Sequence, residues 1–541
     1  MNLTAQGNEN IILNGNPRKT FFKATYNKYT NFGMQKFRID FEGNRILNFN
    51  SPTVLDFKIP RYADMLYETF ICITLPDIYS PIKYNDTPID GNSLIPYEFK
   101  WIEELGAHMI REIEIYSGGV SLSRYSGEYL SCLKERDYSG SKKKLWNKMV
   151  GNVPELISPE NCNGRVNVYP HAQYLDQTGV EPSIRGRKLY IPMDSFFCDS
   201  SKLALPLVAL QYQELSIRIT FKPITHLYTI NNVNAVEYSD GISYRCAPNP
   251  NIPEHQMWRF LQPPADFAAS PTLYNQTRND WNTDIHLIST YIFLGKEEQR
   301  VMAQINHKIL MKQIYTYTFL GKAGSQIVDI ESKDLVANYT WRFRRSDAFE
   351  RNEWNNYTNW AYNGIQPQKN KELTNDIISQ AGDYVNANTH FITGSLGTYS
   401  KNVKNILIDL GIVMEGVYRE NVFDSGVYDY VEKYNKTGNN TKDGLYFYSF
   451  ATDGNRKNYQ PTGAMNVNRF KKISFEFNTI TPPIDPDGSS SEYICDLSGN
   501  AIGFRKNISK LNTYNYDLVI FEERYNVIMI QSGRIGLLHA R

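Results

Sequence analysis

The chain has 541 residues, of which 41% are apolar, 21% charged and 13% aromatic. At ~150 residues per domain this length gives roughly three or four domains, or two all-β domains of ~200–250 residues, and the apolar content excludes a disordered chain. Fifty-eight Lys and Arg against 57 Asp and Glu leave a net charge of +1, which argues against a dedicated nucleic-acid binder. No run reaches the ~18 apolar residues of a membrane span. Residues 1–23 are polar and lack the apolar stretch of a secretory signal. Six scattered cysteines (Cys72, Cys132, Cys162, Cys198, Cys246 and Cys495) fit free thiols in a reducing compartment better than a disulfide frame.

Alternation dominates the chain from its first third onward. Leu55, Phe57 and Ile59 share one face of a strand, and so do Ile113 and Ile115, with Glu112 and Glu114 opposite. A helix is expected at 126–136. The stretch 187–193 reads as a strand, and Leu215, Ile217, Ile219 and Phe221 alternate without interruption. A strand at 285–294 and a connecting helix at 296–308 follow. The same succession then recurs: a strand at 403–413, a helix near 426–434, a strand at 444–450, alternating Ile473, Phe475 and Phe477, and closing strands within 516–530. Period-two runs with polar partners are half-buried strands, and two such series read as two tandem β-sandwiches. Three long stretches, 222–282, 349–400 and 479–500, read as surface loops, either functional or tolerated insertions.

A search for chemistry finds little. No phosphate-binding glycine loop, nucleophile elbow, Cys-x-x-Cys pair or closely spaced histidine pair is present. Asp485, Asp487 and Gly488 imitate the start of a calcium loop, but Pro486 breaks the pattern and a turn is the better reading. Glu103–Glu104, Glu297–Glu298 and Glu522–Glu523 are sequence neighbours, which a strand points to opposite faces, so they form no acid–base couple. Lys142, Lys143 and Lys144 read as a solvated loop, with an anion or nucleic-acid contact as the lesser reading. Eight Asn-x-Ser/Thr triplets, such as that at Asn275, fall within what this Asn-rich composition supplies by chance. Neither a catalytic residue nor a cofactor or metal site is expected. A large, neutral, aromatic, strand-built chain without visible chemistry reads as a building block.

Five segments in order carry a resemblance. They are 15–32 (Pro17, Arg18, Lys19, Phe21, Phe22), 203–215 (Leu205, Pro206, Leu207, Tyr212), Tyr291 to Leu294 with Glu298, Arg300 and His307, Tyr446 to Phe450 with Gln460, Gly463 and Arg469, and Tyr525 to Gly533 with Gly536. Together they resemble the major capsid proteins of nucleocytoplasmic large DNA viruses, the group of iridoviruses, phycodnaviruses and giant amoebal viruses. The chain departs from that pattern at Gly295, where an acidic residue is common.

The resemblance implies an all-β chain of two tandem eight-stranded jelly rolls with a few short helices and long surface loops. The expected divisions are an N-terminal strap at 1–34, a first roll at 35–295, a linker at 296–307 and a second roll at 308–541. It implies a homotrimer forming a pseudo-hexagonal capsomer in the outer shell of a virion assembled in the host cytoplasm. Expected partners are neighbouring capsomers, minor capsid and penton proteins and an inner membrane, with no direct nucleic-acid contact. Arg18, Lys19, Phe21, Phe22, Lys23, Tyr26 and Tyr29 would contact the inner layer or strap the first sandwich shut. Trp354, Tyr357, Trp360 and Tyr362 would form an intersubunit or outward tower loop, or fold their loop on itself. A carbohydrate-binding or glycan-active sandwich is the competing reading, because a fold does not fix a function.

Overall fold

Thr53–Lys58 buries Thr53, Leu55 and Phe57 and exposes Val54, Asp56 and Lys58, as a strand with one wet face must. The computed structural model describes residues 12, 15–41, 43, 46–84, 94–172, 179–231, 245–264, 274–364, 371–372, 391–392, 403–437, 442–457, 460–483, 492–495, 501–505 and 512–539. The first eight main strands are β1 (Phe32–Ile39), β2 (Thr53–Lys58), β3 (Met65–Thr74), β4 (Ile110–Ser117), β5 (Val120–Tyr125), β6 (Lys188–Pro192), β7 (Leu215–Phe221) and β8 (His286–Leu294). Eight more follow: β9 (His307–Lys322), β10 (Ser325–Ile330), β11 (Leu335–Arg345), β12 (Leu407–Met414), β13 (Val417–Asp424), β14 (Leu445–Ser449), β15 (Ile473–Thr479) and β16 (Tyr516–Gln531). A short β17 (Arg534–Leu537) folds back on β16.

Strand order repeats between the halves. In the first, antiparallel sheets run β1-β8-β3-β6 and β2-β7-β4-β5; in the second they run β9-β16-β11-β14 and β10-β15-β12-β13. This is jelly-roll connectivity, made twice. Even the turns correspond. Gly118 and Gly119 join β4 to β5 with φ of 55° and 83°, and Glu415 and Gly416 join β12 to β13 with φ of 52° and 78°. Two consecutive positive φ angles mark the type I′ turn that matches strand twist in a two-residue hairpin.

The second core, including Trp341, Phe343, Phe475 and Phe477, is enclosed by its own two sheets. The first core is larger and crosses the boundary, taking in Ile309, Met311, Val519, Phe521 and Ile528 from the second half. β16 is therefore buried on both faces: Leu518 and Ile520 point into the second roll, Val519 and Phe521 into the first.

Helices fill the connections. α1 (Gly127–Asp137) follows β5, where Ser126 caps it by accepting the Tyr129 N–H at 3.2 Å. α2 (Gly140–Val150) carries Lys142, Lys143 and Lys144 on a helix, correcting the loop expected there; Trp146 and Val150, four residues apart, supply its buried face. α3 (Lys296–Gln304) lies between β8 and β9, and strand resumes at His307, so helix does not reach 308. The stretch 222–282 is not all loop: Tyr228–Asn231 pairs with Phe99–Trp101 and with Arg245–Cys246 in a small third sheet. The calcium-like turn at 485–488 lies outside the described residues, as do the Asn2, Asn85, Asn439 and Asn507 triplets.

Candidate assembly interface

α1 is the element around which the two rolls meet. It is buried along most of its length, charged groups included, because the second roll covers it. The Glu128 carboxylate accepts from Arg342 at 2.6 Å and Arg344 at 3.1 Å on β11. The Tyr129 hydroxyl donates to Glu523 of β16 at 2.6 Å, and its ring packs edge-on to Phe521. Arg136 pairs with Asp137 through two bonds of 2.7 and 2.8 Å, with Glu523 at 2.7 Å, and donates to Thr340 at 3.2 Å. Asp137 accepts the Arg456 backbone N–H at 3.1 Å, and the Arg456 guanidinium donates to Tyr129 at 3.2 Å. Ionised groups buried this deeply are tolerated only when paired and hydrogen-bonded on all sides.

The electrostatics follow from those pairings. Burial would raise the Glu523 carboxyl, but Arg136, Lys312 and Arg456 outweigh it and hold the group at about 2. Glu104 is likewise held at about 2 against its own burial, chiefly by Lys134 at 2.7 Å. Other acids run the other way. Burial pushes Asp199 up to about 6 despite Arg456, and Glu353 up to about 7 with Glu103 adding to the shift.

These shifts have opposite signs in pH. The contribution of Glu104 and Glu523 is full above the ordinary glutamate value of 4.5 and is lost as pH falls towards 2. That of Glu353 is full below 4.5 and is lost as pH rises through 7. Stability is expected to peak in mild acid. Glu353→Gln should flatten the decline between about pH 5 and about pH 8. Urea midpoints across that range test this, and parallel curves for the two proteins would overturn it.

Three of the four loop aromatics singled out from sequence, Trp354, Tyr357 and Tyr362, lie at the seam between the halves. Trp354 donates its indole N–H to the His226 carbonyl at 3.0 Å, and its ring lies under Lys222 and Arg344. Tyr357 is only 2% exposed, beside Cys132 and Arg342. Tyr362 donates to the Arg245 carbonyl at 3.0 Å, while Trp360 is half-buried near Lys404. Trp354, Tyr357 and Tyr362 thus reach across to first-roll residues of the same chain. The sequence could not reveal this, since the first-roll partners of Trp354, Tyr357 and Tyr362 lie more than a hundred positions away.

Arg18, Lys19, Phe21, Phe22, Lys23, Tyr26 and Tyr29 lie on an exposed lead into β1 that turns at Phe21 and Phe22, with Phe21 95% and Phe22 98% exposed. A cleft of about 690 Å³ opens beside the seam, lined in part by Trp101, Glu103, Glu160, Glu353 and Trp354. Glu98 pairs with Arg245, Glu160 with Lys100, and Glu103 accepts from Asn363 at 2.9 Å. Glu98 and Glu160 are thus engaged within the first roll, and Glu103 reaches across to the second. Among the described residues no group of three or more His, Cys, Asp and Glu is placed to hold a metal ion.

Two jelly rolls of one topology, joined by a buried ionic seam, define a double jelly-roll protein. Comparison with known proteins is specific. Residues 20–259 match the family described as "Major capsid protein N-terminus", and residues 298–536 match "Large eukaryotic DNA virus major capsid protein". The chain belongs to this major capsid protein family. It is 28% identical over 325 residues to "Capsid protein 1" of Acanthamoeba polyphaga mimivirus, covering 60% of this chain and 44% of that protein. It is 27% identical over 357 residues to the major capsid protein of Chrysochromulina ericina virus, covering 63% and 55%. These alignments span about half the relatives' length. With the major capsid protein of Paramecium bursaria Chlorella virus 1 the match is 23% identical and covers 99% of this chain and 98% of that one. The solved PBCV-1 virus capsid shares the fold at a TM-score of 0.59 and 18% identity, covering 96% of this chain and 100% of that one. The Faustovirus major capsid protein does so at 0.60 and 12%, covering 95% and 93%.

Proposed function

We propose that this chain is the structural tile of an icosahedral virus shell, three copies forming a pseudo-hexagonal capsomer. The observation that carries this reading is the duplicated strand order. Two similar sandwiches per chain make six per trimer, which lets a threefold particle present six similar sides to its neighbours. The residues act by packing and take no part in turnover. In this reading 1–34 is the strap, 35–295 and 308–541 are the two rolls, and 296–307 links them. The tile belongs to the outer shell of a virion assembled in the host cytoplasm. Its neighbours are other capsomers, minor capsid and penton proteins and an underlying membrane.

The exposed strip from Arg18 to Tyr29 supports an inner-layer contact, since alternating basic and aromatic groups suit a polar–apolar boundary. Size-exclusion chromatography with light scattering tests the oligomer: three masses of 62.5 kDa are expected. A species that stays monomeric and binds immobilised glycans would favour the carbohydrate reading instead. Deleting residues 1–32 should leave folded trimers and impair shell assembly. Loss of folding on deletion would make the segment a strap for the first sandwich.

A further inference from the structure

The cleft of about 690 Å³ beside the seam is built by both halves of the chain. Trp101 comes from the strand Phe99–Trp101, Glu160 from the turn Pro159–Asn161, and Asn352, Glu353 and Asn355 from the loop that follows β11. Asn352 turns that loop with a left-handed φ of 53°, which asparagine tolerates better than most residues. The cleft's volume lies within the ~300–1,000 Å³ that small-molecule sites occupy.

The cations of the wall are already matched. Lys100 pairs with Glu160, Arg245 with Glu98 at 3.4 Å and Arg351 with Asp347 at 2.9 Å. Glu103 lies 3.8 Å from Lys442. Glu353 is in no ion pair among the described residues, but burial lifts its carboxyl to about 7, so near neutral pH it can donate as well as accept.

What the wall offers instead is unpaired hydrogen-bonding atoms of both senses. The Trp101 indole N–H has no partner among the described residues, and neither have the side-chain carbonyl oxygens of Asn352 and Asn355 or one oxygen of Glu160. Trp101, Asn352 and Asn355 are 2%, 4% and 4% exposed, and a buried polar group left unpaired is costly. Asn352 spends its amide N–H groups on the Thr225 and Tyr228 carbonyls, both at 2.8 Å, and Asn355 spends its own on Glu104 at 3.0 Å and Glu103 at 3.3 Å. The carbonyl oxygen is the end each has left for the cleft.

This mixture selects the ligand. A metal ion or an ammonium group satisfies acceptors and leaves the indole N–H idle. A phosphate satisfies that donor and is repelled by the acceptors. A hydroxyl group donates and accepts at once. A ring bearing several hydroxyls, with C–H faces to lie against Tyr169 and Tyr362 in the same wall, meets both demands.

We propose that the seam cleft binds a short neutral saccharide through Trp101, Asn352, Asn355 and Glu160. This adds a binding activity to the tile and does not depend on the oligomer, since every residue named comes from one chain. The same sugar rings occur in free polysaccharide and on protein-linked glycans.

Titration calorimetry of the full chain tests it, with cellotriose, chitotriose, maltotriose and a glycopeptide bearing a high-mannose N-glycan as neutral probes. Spermine and a heparin tetrasaccharide are the charged ones. At least one neutral probe should bind saturably and neither charged probe should. Trp101→Phe keeps most of the bulk and removes an N–H that pairs with nothing in the described chain, so the dissociation constant should rise about tenfold, the scale of one hydrogen bond. Asn363→Trp fills the cleft from a half-buried position and should abolish binding with the circular dichroism spectrum unchanged. Binding of the trisaccharides supports a polysaccharide ligand, and binding confined to the glycopeptide a glycoprotein one. Failure of every neutral probe to bind would overturn the proposal. Sugar binding that both variants leave unchanged would overturn the site, and spermine or heparin binding that Asn363→Trp abolishes would overturn the neutral ligand. The trimer stands or falls separately, by light scattering.

Discussion

Replacing Glu523 by alanine is expected to destabilise the chain by about 3–5 kcal/mol, the cost of breaking a buried ion pair from one side. Glu523 is 1% exposed and accepts from Tyr129 at 2.6 Å and from Asn338 at 3.0 Å, with Arg136 at 2.7 Å and Lys312 at 4.0 Å. Truncation leaves Lys312 without that carboxylate and Arg136 with Asp137 alone as its acidic partner, in a place water does not reach. Glu523→Gln keeps the shape and the acceptor for Tyr129 but not the charge, and should fall between the two. Urea unfolding measures both. A loss below about 1 kcal/mol for the alanine variant, the scale of an exposed pair, would show that the seam is wet.

Trp341→Ala should cost a similar ~3–5 kcal/mol for a different reason, the cavity left in a packed core. Trp341 is fully buried on β11, stacked on Tyr446 with ring centroids 6.0 Å apart and edge-on to Tyr428 at 5.3 Å and Phe475 at 5.6 Å. Its indole N–H has no hydrogen-bond partner among the described residues. Trp341→Phe therefore removes volume without orphaning a polar neighbour and should cost much less than alanine. Thermal unfolding separates the two variants. Equal losses would mean that the indole N–H, and not its bulk, stabilises the site.

Much of the sheet structure was legible because period-two burial is a local property. Leu215 to Phe221 alternates in sequence and is a strand over those same residues. Glu522 and Glu523 were placed on opposite faces, and they are: Glu522 turns to Tyr317 and Arg524, Glu523 to the seam. What could not be read is that both are buried. Burial of a charge depends on partners brought in by the fold, here Arg136 from a helix nearly four hundred positions earlier. α2 was missed because Lys142, Lys143 and Lys144 dominate its N-terminal half, and of its apolar residues only Trp146 and Val150 are buried. The loop around Trp354 and Tyr357 read as surface for the same reason, its covering groups being distant in sequence. The exposed edge at β13 gave no warning either, since Val417, Val422, Tyr430 and Val431 have the composition of a core.

The double burial of β16 has a consequence for synthesis. A first sandwich leaving the ribosome has α1 complete, yet the surface that neutralises Glu128, Arg136 and Asp137 is still untranslated. Until Glu523, Arg342 and Arg456 emerge, those ions must stay hydrated, so α1 cannot settle into its final bed. Nor is the chain divisible at α3 into self-sufficient modules: severed there, one fragment bares Val519 and Phe521 as greasy surface and the other strands its salt-bridging helix in water. Maturation of the leading half is thereby timed by the arrival of the last strand.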